Sequence, residues 1–128
     1  MHNSDSGADF DWFAVDANGA FALLASGGPG FLPPSVLEYR VMHETVAGGI
    51  EYPHWGTDAI WQDVAAMGLY VYDWSVADAA YVRVAEPAPV ADQTFADMIK
   101  RITDLPELVG TFQSSERIAQ ALEFRITD

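Results

Sequence analysis

Two apolar runs on either side of an Asn-Gly dipeptide set the first element of this fold. Residues 12–15 and 20–25 flank the tetrapeptide Asp16-Ala17-Asn18-Gly19. Asn and Gly tolerate the positive φ of a two-residue turn, so this pattern predicts a β-hairpin. A second hairpin is predicted from residues 69–74 and 80–85, because aromatic residues pair well across strands.

Helices are expected between and after these hairpins. Four are predicted: at residues 34–47, at residues 58–67, from residue 94, and from residue 114 or 115. Pro34 suits the first helical turn. No strand–helix–strand alternation with Gly-rich turns is present, which argues against a doubly wound parallel sheet. The sequence therefore predicts an α+β fold, with an antiparallel sheet built from hairpins and three to four helices packed on one face.

Length and composition indicate one domain. The chain has 128 residues, half of them hydrophobic, which suits a single folded unit. We expect a flexible N-terminal tail at residues 1–9 and a single α+β domain at residues 10–128. The N-terminus lacks the basic start and apolar run of a signal peptide, and no apolar run approaches the length of a membrane span. A cytoplasmic location is therefore predicted.

The chain is strongly acidic. Nineteen acids face six bases, and Arg40 is the only base from residue 1 to residue 82, against eleven acids. Such a charge repels nucleic acid and anionic membranes, whereas it attracts a basic protein partner. Solubility alone also explains an acidic surface, and that alternative stays open.

Sequence motifs for catalysis or metal binding are incomplete. A His-Glu-x-x-His zinc motif fails after His43, because position 47 is Ala. His43 is therefore predicted to lie on a helix surface. The chain has three His and no Cys, so we expect no metal and no cofactor. The loop Gly27-Gly28-Pro29-Gly30 lacks the basic residue of a phosphate site, and no Gly-x-Ser-x-Gly elbow occurs. The sequence favours a protein that is not an enzyme.

An aromatic group interleaved with acids is the candidate binding site. Trp61 lies on the apolar face of its helix and is expected in the core, whereas Trp55, between Pro53 and Gly56, is expected on the surface. Aromatic side chains dominate the binding energy of many interfaces. The predicted partner-binding residues are Glu38, Glu44, Glu51, Trp55 and Asp58.

Several segments resemble the members of a group of small bacterial proteins. They are residues 11–16, the Asn18-Gly19 turn, Gly27-Gly28, Pro33-Pro34, residues 81–85 and Leu105-Pro106. The group consists of short, acidic, uncharacterised cytoplasmic proteins, some of which are similar to immunity proteins of polymorphic toxin systems. The resemblance implies an immunity-like role but assigns no functional residue.

The leading hypothesis is a non-enzymatic acidic protein that masks a basic protein partner. One alternative is a small-molecule binding or enzymatic domain, with a pocket between sheet and helices lined by Tyr70, Tyr72 or Trp74. Such a pocket would hold a carboxylate with a raised pKa. A second alternative is a homodimeric structural subunit.

Overall fold

The computed structural model describes residues 10–126, and their strands form one mixed sheet. The strands are β1 (Asp11–Val15), β2 (Phe21–Ala25), β3 (Tyr70–Ser75), β4 (Ala80–Ala85), β5 (Pro106–Leu108), β6 (Arg117–Ile118) and β7 (Phe124–Ile126). The helices are α1 (Pro34–Glu38), α2 (Arg40–Ala47), α3 (Ile60–Ala65) and α4 (Thr94–Lys100), with a short 3₁₀ helix at Ala121–Glu123. The strand order is β6-β4-β3-β2-β1-β5-β7. The predicted tail at residues 1–9 lies outside the described residues.

Both predicted hairpins are confirmed. Strands β1 and β2 pair antiparallel, and the amide of Asp16 donates to the carbonyl of Ala20 at 2.9 Å. Gly19 has a φ of 83°, which this turn requires. Strands β3 and β4 also pair antiparallel, with a register shift between Val71 and Tyr72.

The prediction of an antiparallel sheet is wrong, because the sheet is mixed. Strand β3 lies parallel to β2, with Ala22 opposite Tyr70, and β1 meets β5 in parallel at Val15 and Glu107. The segment between β2 and β3 contains three helices. A connection of this length can return the chain to the end of the sheet where β2 began, so the next strand runs in the same direction. Hairpin patterns define the pairing within each hairpin but not between hairpins.

Three predicted helices differ from the observed ones. Residues 34–47 form two helices, because Tyr39 leaves helical geometry at φ −112° and ψ 33°. The second predicted helix is shorter than 58–67 and spans Ile60–Ala65. The C-terminal helix is absent from the described part of the chain, since β6 pairs with β4 and β7 pairs with β5. Tertiary strand pairing overrides local helical periodicity there.

The sheet separates two hydrophobic clusters. Phe13, Leu23 and Val71 belong to the first cluster, together with side chains from α2, α3 and α4. Their neighbours along the strands, such as Trp12 and Tyr72, belong to the second cluster, since adjacent strand residues point to opposite faces. Helix α1 contributes Val36 to the second cluster, so the helices do not all share one cluster.

The sheet curls around the second cluster. The ring of Trp12 in β1 lies 5.2 Å from Phe124 in β7 and 5.7 Å from Tyr81 in β4. Phe31 lies 5.0 Å from Tyr81 and 6.4 Å from Phe124, measured between ring centroids. Neighbouring strands of a sheet are about 4.8 Å apart, and four strands separate β4 from β7 in the strand order. In a flat sheet, side chains of β4 and β7 could not both reach the rings of Trp12 and Phe31. The sheet must therefore bend.

Helix α2, with eight residues, is the longest helix among residues 10–126. At 1.5 Å per residue it extends about 12 Å, less than half of the roughly 30 Å of a bilayer core. No helix in the described range meets the length and apolarity needed to cross a membrane.

Replacing Gly30 by Ala is expected to destabilise the fold. A Cβ at Gly30 would lie 2.7 Å from the Tyr81 hydroxyl oxygen and 2.8 Å from the Ser26 carbonyl oxygen. That hydroxyl donates to the Phe31 carbonyl at 2.7 Å and accepts the Trp12 indole N–H at 3.0 Å, so it cannot move freely. Gly30→Ala should lower the free energy of unfolding by about 1–3 kcal/mol, measured by urea denaturation.

The matched control is Gly110→Ala, because a Cβ at Gly110 meets no atom within 4 Å. We expect a change of at most about 0.5 kcal/mol for this variant. Equal stabilities of the two variants would contradict the packing of Gly30 against Tyr81.

Candidate functional site

The candidate site is the loop of residues 51–59, which precedes α3 and which we call the Trp55 loop. The side chain of Trp55 is 77% exposed, as the sequence predicted. Asp63 in α3 is buried and anchors the loop, because its carboxylate accepts two hydrogen bonds from His54. The donors are the backbone amide at 2.9 Å and the ring Nδ1 at 2.7 Å. The loop is therefore tied to a helix directly beside the exposed indole.

Further hydrogen bonds within the loop hold the backbone around Trp55. The Trp55 amide donates to the Tyr52 carbonyl at 3.0 Å, and the Thr57 amide donates to the His54 carbonyl at 3.1 Å. The Thr57 hydroxyl donates to the same carbonyl at 2.8 Å. A loop that is ordered before binding loses less entropy when a partner contacts it.

The charge of Asp63 depends on His54. Burial acts to raise the pKa of Asp63, but the side-chain and backbone hydrogen bonds from His54 outweigh burial and hold that pKa below its usual range. A lowered carboxyl pKa stabilises the fold at pH values above the ordinary pKa of Asp, and the stabilisation is lost as the pH falls through the lowered value. The anchor of the Trp55 loop is thus intact at neutral pH.

Two carboxylates lie near Tyr52 of the Trp55 loop. Burial, followed by the charges of Asp11 and Asp63, raises the pKa of Tyr52 to about 12. Asp11 stands opposite Ala25 in β2, and Ala25 stands opposite Asp73 in β3, so the two acids lie two strands apart at one end of the sheet. Their charges also contribute, after burial, to a raised pKa of Tyr81.

Sequence reasoning missed Asp11, Asp63 and Asp73 as parts of this acidic region. Asp11 and Asp73 come together only through the parallel pairing of β2 with β3, which no local pattern indicates. Asp63 falls within the predicted helix at residues 58–67, and its hydrogen bonds to His54 depend on how the preceding loop folds back. Asp11 and Asp63 therefore both place negative charge near Tyr52 of the Trp55 loop.

The five predicted binding residues lie on three elements. Glu51, Trp55 and Asp58 share the Trp55 loop, whereas Glu38 ends α1 and Glu44 lies on α2. All five are exposed. Among residues 10–126, none of the four carboxylates forms an ion pair or a side-chain hydrogen bond. Their charges are therefore available to an external partner.

The prediction that His43 lies on a helix surface is wrong. The side chain is fully buried, its ring stacks on Phe13 at an interplanar angle of 7°, and its Nδ1 accepts the Phe13 amide at 3.1 Å. That amide points away from β2, and β5 reaches β1 only at Val15. His43 thus satisfies an edge amide that no strand reaches. Its helical spacing from Val46, which is buried on the same helix, is the sequence signal that places it on the inner face.

The aromatic residues proposed to line a pocket belong to the second hydrophobic cluster. Tyr72 is fully buried, and its hydroxyl oxygen lies within hydrogen-bond distance of the carbonyl oxygens of Phe112 and Ser115. Tyr70 and Trp74 pack against the same cluster. Tyr72 thus lies inside this cluster, and Tyr70 and Trp74 lie at its edge.

Residues that bind metals do not converge within the described range. Among residues 10–126, no three His, Asp or Glu side chains form a group that could hold a metal ion. His43 uses one ring nitrogen for the Phe13 amide, and His54 uses one for Asp63.

The fold and the Trp55 loop together define an acidic α+β protein with an exposed, anchored tryptophan. Comparison of the chain with protein-family models, with curated proteins and with solved structures gave no match.

Proposed function

We propose that this protein is a non-enzymatic binding protein that masks a basic protein partner. The observation that carries the proposal is the indole of Trp55, 77% exposed on a loop that a buried carboxylate anchors. A large apolar side chain fixed in water gains binding energy when a partner covers it.

The charges around Trp55 select the kind of partner. Glu51 and Asp58 flank the indole in the same loop, and the whole chain carries a net charge of −13. A partner arginine that stacks on an indole gains from the cation–π interaction, and nearby carboxylates pair with its guanidinium. Long-range attraction then raises the rate of encounter.

An immunity-like role is the specific form of this proposal. A nuclease toxin binds phosphates through Lys and Arg side chains, and an acidic protein that covers those side chains inactivates it. The resemblance to small acidic proteins of bacteria supports this form, and so does the net charge of −13, because nucleic-acid binding depends on basic side chains. A cytoplasmic location and a toxin encoded by a neighbouring gene belong to the same proposal.

Capture from native cytosol tests the role of Trp55. We expect the immobilised wild-type protein to retain a basic protein at about 50 mM salt and to release most of it at about 500 mM, because salt screens exposed charges. Trp55→Ala should retain at least tenfold less, since an aromatic hot spot contributes about 2 kcal/mol or more. Bound proteins are quantified by mass spectrometry.

Leu122→Ala is the matched control, because Leu122 is also 77% exposed and lies on the 3₁₀ helix, away from the Trp55 loop. This variant should capture the same protein as the wild type. Equal capture by the two variants contradicts the proposal. A mass that doubles with concentration in the wild type but not in Trp55→Ala assigns the loop to a homodimer instead.

A further inference from the structure

We propose that Nε2 of His54 accepts a hydrogen bond from a lysine or arginine side chain of the basic partner. His54 precedes Trp55 in the Trp55 loop, and its side chain is 59% exposed. Its Nδ1 faces the Asp63 carboxylate at 2.7 Å, whereas Nε2 has no hydrogen-bond partner within residues 10–126. The inference rests on the proposed function, because it names the atom of the same site that selects the chemistry of the partner.

Asp63 fixes the position of the imidazole proton of His54. Burial acts to raise the pKa of Asp63, but the hydrogen bonds from His54 outweigh burial and lower that pKa, so the carboxylate is ionised at neutral pH. An ionised carboxylate only accepts hydrogen bonds, and Nδ1 must therefore carry the proton that joins the two side chains. In the neutral ring, Nε2 then holds a lone pair and is a hydrogen-bond acceptor.

The direction of this acceptor is fixed as well. The second oxygen of Asp63 accepts the His54 amide at 2.9 Å, so one carboxylate holds both the backbone and the ring of the same residue. Thr57 donates to the His54 carbonyl through its amide at 3.1 Å and through its hydroxyl at 2.8 Å. An acceptor that is held in one direction before binding loses little freedom when a donor reaches it.

An acceptor at this position matches a basic partner. Lysine and arginine side chains carry N–H donors and no acceptor, whereas ionised aspartate and glutamate carry only acceptors. Hydrogen bonds from a charged donor are also stronger than those between neutral groups. A basic side chain therefore satisfies the Nε2 lone pair, whereas a carboxylate of an acidic partner would place a second acceptor against it.

The ionisable groups on the elements beside the ring favour the same partner. They are Asp63 of α3, Glu51, Tyr52 and Asp58 of the loop, and Asp11 of β1, which acts with Asp63 on the pKa of Tyr52. None of these groups is a cation, so none repels a lysine or arginine that approaches Nε2. Uptake of a proton at Nε2 reverses the preference, because the ring then donates at both nitrogens and is positively charged.

Nitrogen NMR of the full-length protein tests the assignment. At about pH 8, where imidazoles are neutral, long-range proton–nitrogen spectra should show a protonated Nδ1 and an unprotonated Nε2 in His54. The probes are N-acetylarginine amide and tetramethylammonium, which carry the same charge, although only the arginine probe has N–H donors. We expect the arginine probe to shift the Nε2 resonance at least about threefold more than tetramethylammonium does at equal concentration.

His54→Asn removes the acceptor and keeps the anchor of the loop. An asparagine amide can take the place of Nδ1 and donate to Asp63, but it has no atom in the place of Nε2. In the capture experiment at about pH 8, this variant should retain about tenfold less of the basic protein than the wild type. Capture by the wild type should also fall between about pH 8 and about pH 5.5, and capture by His54→Asn should fall less.

Gln113→Asn is the matched control, because it shortens an exposed polar side chain outside the Trp55 loop. It should capture as much of the basic protein as the wild type. The urea midpoint of His54→Asn should equal that of the wild type, which shows that the loop anchor is retained. The probe titration uses the wild-type chain and so decides the question even if His54→Asn does not fold.

The outcomes separate this inference from the proposed function. A protonated Nε2 with an unprotonated Nδ1 at about pH 8 overturns the inference, and so do equal shifts of Nε2 with the two probes. If Trp55→Ala loses capture while a folded His54→Asn retains it, the proposed function stands and the role of His54 is refuted. Equal capture by Trp55→Ala and the wild type refutes the proposed function and the inference that rests on it.

Discussion

Replacement of Asp16 by Asn is expected to lower the free energy of unfolding by about 3 kcal/mol. The carboxylate is 3% exposed, and its Oδ1 accepts the amides of Asn18 and Ala20 at 2.9 Å each. Its Oδ2 accepts the Phe112 amide at 2.9 Å and so links the first hairpin to the C-terminal segment. An Asn side chain places an N–H group against one of these donors and leaves a buried amide without an acceptor.

The comparison variant is Asp78→Asn in the second hairpin. Asp78 is exposed, accepts the Ser75 hydroxyl at 2.8 Å and lies 3.5 Å from Arg117. Exposed pairs of this kind contribute at most about 1 kcal/mol. Urea denaturation at neutral pH should therefore give a clearly larger loss for Asp16→Asn, and a loss no larger than that of Asp78→Asn would show that the Asp16 hydrogen bonds do not hold the hairpin.

Stability should also fall between about pH 6.5 and pH 4 because of His43. Burial lowers the pKa of His43 from 6.5 to about 4. The geometry agrees, because protonation of Nδ1 would remove the acceptor of the Phe13 amide. The folded state therefore requires a neutral ring, whereas the unfolded chain binds a proton at the ordinary pKa.

The direction of the change in stability follows from this difference in proton binding. The contribution is fully present above the unfolded pKa and decreases as the pH falls toward the folded pKa, because the unfolded chain takes up the proton first. From about pH 7 to about pH 4.5, His43 alone should reduce the free energy of unfolding by about 2.5 kcal/mol.

His43→Gln separates this contribution from that of other groups. A glutamine oxygen can accept the Phe13 amide but does not titrate in this range. Unfolding free energies measured at several pH values should fall less steeply for His43→Gln than for the wild type. Parallel curves would show that His43 does not titrate on unfolding in this window.

The local parts of the fold could be predicted from the sequence. The Asn18-Gly19 turn, the aromatic strands β3 and β4, and the helix starting at Thr94 each depend on neighbouring residues, and the structure has all three. Trp55 was placed on the surface because Pro53 and Gly56 prevent regular structure around it. These features follow from turn geometry and from short-range periodicity.

Other features depend on contacts between distant residues. A last helix was predicted from residue 114 or 115, yet residues 117–118 pair with β4 and residues 124–126 pair with β5. His43 was assigned to a helix surface after the zinc motif failed, whereas here an edge amide of β1 needs an acceptor. A local sequence pattern cannot show such a requirement, because the residues that create it are far apart in the sequence.

The sequence by itself determined the two hairpins, the mixed helix and strand content, the net charge of −13 and the exposure of Trp55. Only the tertiary structure decided the parallel pairing of β2 with β3, the burial of His43, and the anchoring of the Trp55 loop by Asp63. The physical reason is the distance along the chain over which each interaction acts. Turn conformation and amphipathic spacing act over a few residues, whereas strand order and the hydrogen-bond partners of buried groups are set by the whole packed chain.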